Sequence, residues 1–61
     1  MSNQTLCQRK INLLDTLFET KECIAGLIST ENKREVNTIL TILEIIVNQQ
    51  IIMTELIKCE E

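Results

Sequence analysis

The sequence predicts an all-α protein: an antiparallel two-helix hairpin that dimerises into a four-helix bundle with the second helices central. Three observations carry this expectation. The 61 residues include no Pro, one Gly and a single aromatic, Phe18, a composition that suits helices and leaves little turn vocabulary for a sheet. Apolar residues recur at helical steps along two stretches separated by one polar break, Ser29 to Glu35. The second stretch is apolar nearly all round, more than one hairpin partner covers.

A chain of this length makes a single domain, 1–61. So small a domain buries only a modest share of its surface, and it usually needs a covalent staple, a metal or a partner chain.

The first helix is expected over about 5–28. Leu6, Leu13, Leu14, Leu17, Phe18, Ile24, Leu27 and Ile28 fall at steps that keep one face apolar. Thr5 followed by Gln8 forms a capping box, with Ser2 and Asn3 as alternative starts. Gly26 reads as lying inside the last turns, because Leu27 and Ile28 continue the apolar face past it. The connection is expected at about 29–32, with Asn32 capping the second helix and Glu35 completing a second box. So short a link makes the helices antiparallel neighbours.

The second helix, about 33–60, carries two seams. Val36, Ile39, Leu43, Ile46, Gln50, Met53 and Ile57 alternate steps of three and four, the stripe expected to pack in the hairpin against Leu13, Leu17 and Ile24. Ile42, Ile45, Gln49, Ile52, Leu56 and Cys59 form a second such series, whose first five members are the expected dimer seam. Leu40, Val47 and Ile51 extend the apolar surface beyond the first seam, and only a narrow strip, centred on Asn37, Glu44, Asn48 and Glu55, is polar. Gln50 thus falls in the first seam and Gln49 in the second. A buried amide needs a hydrogen-bond partner, since leaving it unpaired costs about 1–3 kcal/mol. Paired isoleucines flank the amides on both sides, so an antiparallel crossing would bring Gln49 near its own mate.

Lys10 and Lys21 lie inside the apolar arc of the first helix, where long stems pack and ammonium groups reach water. Should Lys10 make a specific contact, Gln50 is the expected partner. Cys7, Cys23 and Cys59 are expected as free thiols, although a hairpin places Cys7 and Cys59 near one end. With no His and no CxxC in the chain, no metal site is expected.

A net charge of −3 and the lack of a basic stripe disfavour nucleic acid as a partner. The N-terminal residues do not read as a signal peptide. Glu44, Asn48, Gln49, Gln50 and Glu55 argue against a membrane span. A cytoplasmic location is therefore expected. Nucleophilic chemistry lacks a base and no phosphate-binding loop occurs, so neither catalysis nor a cofactor is expected. The sequence reads as a homodimeric, non-enzymatic helical protein that binds another protein and inhibits or modulates it. A chaperone holding a helical client and an RNA-binding hairpin dimer are the alternatives. Asp15, Glu19 and Glu22, with Phe18 as an apolar anchor, are the candidate partner surface, suited to a basic patch.

Overall fold

The computed structural model describes residues 5–59, and its two helices pack against each other as a hairpin. The first, α1, spans Leu6–Thr30 and the second, α2, spans Arg34–Glu55. Ser2 and Asn3, the alternative starts named above, and position 60, the expected end of the second helix, lie outside the described residues.

Local chemistry accounts for the boundaries. The hydroxyl of Thr5 accepts from the Gln8 backbone N–H at 3.1 Å, satisfying one of the donors that a helix start leaves unpaired. The return half of the box is not made. Gln8 instead donates its side-chain amide to Asn12 Oδ1. Gly26 lies within α1, two turns beyond Phe18 and one before its end, with no positive φ. Threonines, indifferent helix formers, turn their hydroxyls back onto the preceding turn: Thr16 donates to the Asn12 carbonyl and Thr20 to that of Thr16. Thr38, Thr41 and Thr54 repeat this on α2.

The connection differs from the expected one. The residue preceding α2 is Lys33, which makes no side-chain cap bond, so Asn32 is not the cap. Glu31 organises the turn instead: its carboxylate accepts from the Lys33 N–H at 3.0 Å, and its carbonyl accepts from Asn37 Nδ2 at 3.0 Å. α2 also ends earlier than its apolar pattern, at Glu55, with Leu56 as C-cap.

The core is small. Ile24, Val47 and Ile51 are 6–8% exposed, with Leu14, Leu17, Ile28 and Leu40 packed around them. The seam of α2 that meets α1 is therefore not the expected one. Leu40, Val47 and Ile51 face inward with Thr54, flanked by half-buried Asn37, Glu44 and Asn48. Of the stripe assigned to the hairpin, Ile39, Leu43, Ile46, Gln50, Met53 and Ile57 are exposed and Val36 is half-buried; on α1, Leu13 is exposed while Ile24 is buried. Two of these inward residues, Val47 and Thr54, are small. Valine and threonine let two helices approach more closely than isoleucine and methionine do, and the Thr54 hydroxyl is satisfied by the Gln50 carbonyl at 2.7 Å.

The open end is tied twice. Cys7 and Cys59 form a disulfide with their Cα atoms 5.2 Å apart. This corrects the expectation of three free thiols; Cys23 alone remains free. Lys10 Nζ donates to the carbonyls of Glu55 at 3.1 Å and Ile57 at 2.8 Å, not to Gln50. Its positive charge covers acceptors at a helix C-terminus, where the helix dipole favours a cation.

Candidate interaction surfaces

The molecule measures 46 × 22 × 15 Å, and its least extent is little more than the 10–12 Å diameter of one helix. It is thus one layer of two helices. A stable domain ordinarily buries apolar surface between two layers, and here much of that surface has no covering. Ile39, Ile42, Leu43, Ile45, Ile46, Ile52, Met53 and Leu56 on α2 are all exposed, joined by Leu6, Ile11, Leu13, Phe18 and Leu27 on α1.

At about 100° per residue these side chains sort into distinct surfaces. Ile42, Ile45, Gln49, Ile52 and Leu56 lie on the side of α2 turned away from the inward residues Val47 and Ile51. Gln49 is near the middle of that stripe and exposed. Ile39, Leu43, Ile46, Gln50 and Met53 lie on one flank of α2. Leu6, Leu13, Thr20 and Leu27, spaced by seven, lie on the matching flank of α1. The structure joins these flanks: Leu13 and Leu17 line a shallow groove together with Gln50, Met53 and Thr54. They form one broad apolar face across both helices. Its opposite carries Asn37 and Thr41 of α2, which line a second hollow with Asn32, Arg34, Thr38 and Ile42, and Ile11, Phe18 and Ala25 of α1.

Charge divides the molecule just as sharply. Between Val36 and Thr54 the single charged residue is Glu44, and it is half-buried. The outer side of α1 carries Asp15, Glu19 and Glu22, all exposed, and Phe18 is 44% exposed on their flank. Among the described residues no three His, Cys, Asp or Glu side chains converge as metal ligands would. Within Arg34–Glu55 an 18-residue window reaches a mean hydropathy of 1.4, and the helix is long and apolar enough to cross a membrane. The polar residues that argued against a span at sequence level are partly accounted for by α1, since Glu44 and Asn48 turn toward it.

Comparison with protein-family models, with curated proteins and with solved structures gives no match.

Proposed function

We propose that this protein is a non-enzymatic interaction module, a homodimeric helical hairpin that binds another protein and inhibits or modulates it. The uncharged, apolar outward surface of α2 is the observation that supports the reading. Burying each Ile or Leu side chain contributes about 1.5–3 kcal/mol, so a row of them favours association strongly. A second copy offers a self-complementary surface in a closed assembly. Water then meets the outer side of α1, where Asp15, Glu19 and Glu22 form an acidic surface for a basic patch on the target.

A membrane competes for the same apolar surface. Against it stands the attachment of α1, which is packed along α2 and closed by a disulfide. Drawing α2 into a bilayer draws in Lys10, Asp15, Glu19, Lys21 and Glu22 as well. Each charge near the bilayer centre costs at least about 2.5–3.5 kcal/mol. The net charge of −3 is also repelled by anionic headgroups.

Sedimentation equilibrium on the full chain, with and without lipid vesicles, tests self-association. The expected result is twice the 7.0 kDa chain mass at micromolar concentration and no vesicle binding. A monomer, or cosedimentation with neutral vesicles, overturns the reading. The target-binding half is tested by capture with tagged protein beside a variant with Asp15, Glu19 and Glu22 reversed to Lys. A specific partner is retained by the parent chain, lost by the variant, and released as salt rises.

A further inference from the structure

The self-association proposed above leaves open which surface of α2 meets the second copy, and the arrangement of the two helices answers it. We propose that the second copy seats on the broad face formed by Leu6, Leu13 and Leu27 of α1 with Ile39, Leu43, Ile46 and Met53 of α2. The two hairpins run in opposite senses about a two-fold axis at the level of Thr20 and Ile46. This inference rests on the homodimer reading.

Area supports the choice of face. These seven side chains are 43–70% exposed. Together they present on the order of 600 Å², at the top of the range for the largest apolar patch on a typical monomer. Each partner of a standard interface buries about 800 Å², so this face supplies most of what a stable dimer needs. The outer stripe through Gln49 belongs to one helix alone, and a crossing along it leaves both α1 helices without contact to the mate.

Register supports the axis. Leu13 and Met53 line the same groove, and Lys10 reaches Glu55 and Ile57, which fixes how the antiparallel helices are levelled. Seven residues inward from Leu13 is Thr20, and seven inward from Met53 is Ile46, so these two are level. On α1 the face repeats at Leu13, Thr20 and Leu27; on α2 it repeats at Ile39, Ile46 and Met53. Both series are centred on one level. A two-fold axis there sets Leu13 over the partner's Leu27 and Ile39 over the partner's Met53, with Thr20 and Ile46 each meeting its own mate.

Charge selects the reversed orientation. The face carries no charged residue between Arg9 at the open end and Glu35 near the connection. Reversing one hairpin brings each Arg9 to the level of the partner's Glu35. Stacking like ends sets Arg9 near the partner's Lys58 instead. In the reversed dimer the acidic side of α1, with Asp15, Glu19 and Glu22, remains outward for the target protein, as does the stripe of Ile42, Ile45, Gln49, Ile52 and Leu56.

Cysteine crosslinking tests this in the full chain with Cys23→Ser, leaving the Cys7–Cys59 disulfide in place. Mild oxidation of Ile46→Cys, and separately of Thr20→Cys, is expected to give a covalent dimer roughly tenfold or more faster than Gln49→Cys, because pairing at the axis is effectively intramolecular. Mixing Leu13→Cys with Leu27→Cys chains is expected to give the mixed dimer, which keeps the test open should one axial variant fold poorly. Faster crosslinking of Gln49→Cys overturns the face. Linkage of Thr20→Cys to Ile46→Cys, with neither linking to itself, overturns the orientation. Sedimentation of the Cys23→Ser chain as a monomer removes the homodimer reading itself, and so separates that failure from the other two.

Discussion

Lys10 Nζ donates to the Ile57 carbonyl at 2.8 Å and to the Glu55 carbonyl at 3.1 Å, binding the first turns of α1 to the last turn of α2. The contact joins residues 47 positions apart and satisfies carbonyls that the end of α2 leaves without helical donors. Replacing Lys10 with Met keeps the packing stem and removes the charge-assisted bonds. The loss expected is about 1–2 kcal/mol, below the full value for a charged hydrogen bond because the site is partly solvated. Chemical denaturation at fixed chain concentration measures it. Hydrogen exchange should quicken at the Leu56 and Ile57 amides and remain unchanged near Ile24.

The Cys7–Cys59 disulfide closes a loop with a sequence separation of 52. Restricting the unfolded chain by a loop of that length stabilises the fold by about 4 kcal/mol in the chain-entropy treatment. Disulfides persist in oxidising surroundings, and in a reducing cytoplasm the same two residues are neighbouring thiols. Thermal melts with and without reductant are expected to separate clearly. Cys7→Ser should melt like the reduced parent, while Cys23→Ser, altering an exposed free thiol, should melt like the oxidised one.

Ile51 is among the most buried residues, 6% exposed against α1, whereas Ile39 is largely exposed on the single chain. Ile51→Ala is expected to destabilise by about 2–4 kcal/mol through lost burial and the cavity it leaves. This loss should be similar in dilute and concentrated samples. Ile39→Ala should lose less at low chain concentration and progressively more as association sets in. Melting over a concentration series distinguishes the two. Equal, concentration-independent losses would count against both the packing described and the proposed dimer face.

Gly26 is an exposed helical position where an added Cβ meets nothing within 4 Å, and its φ is not positive. Gly26→Ala is expected to stabilise the chain by about 0.5–1 kcal/mol by restricting the unfolded state. A rise in the denaturation midpoint with an unchanged slope checks it. No rise would place a backbone or partner constraint at this position.

Several features were legible without coordinates because they depend on local chemistry. The Thr5 hydroxyl caps α1 because a small side-chain acceptor before an apolar helical pattern has unpaired N–H groups to receive. Gly26 stays within α1 because the apolar periodicity runs through it. The polar break between Ser29 and Glu35 contains the turn. Cap identity before α2 was less legible, since Glu31 reaches the Lys33 N–H in competition with Asn32 and Asn37 ties back to the Glu31 carbonyl.

An all-helical hairpin follows from local pattern, because periodicity, one break and the lack of proline leave few other ways to satisfy the backbone. Tertiary structure alone decided which side of α2 faces α1. When isoleucine, leucine and valine surround a helix, hydrophobicity names no unique inward face, and the two regular seams read from the spacing are equally apolar. The selection fell on Leu40, Val47, Ile51 and Thr54, which include the compact side chains that allow close approach, and on Asn37, whose amide bonds to the turn. Ile39, Ile42, Leu43, Ile45, Ile46, Ile52 and Met53 were left outward. That outcome, reached by packing geometry between the two helices, is what leaves an open apolar face on the hairpin.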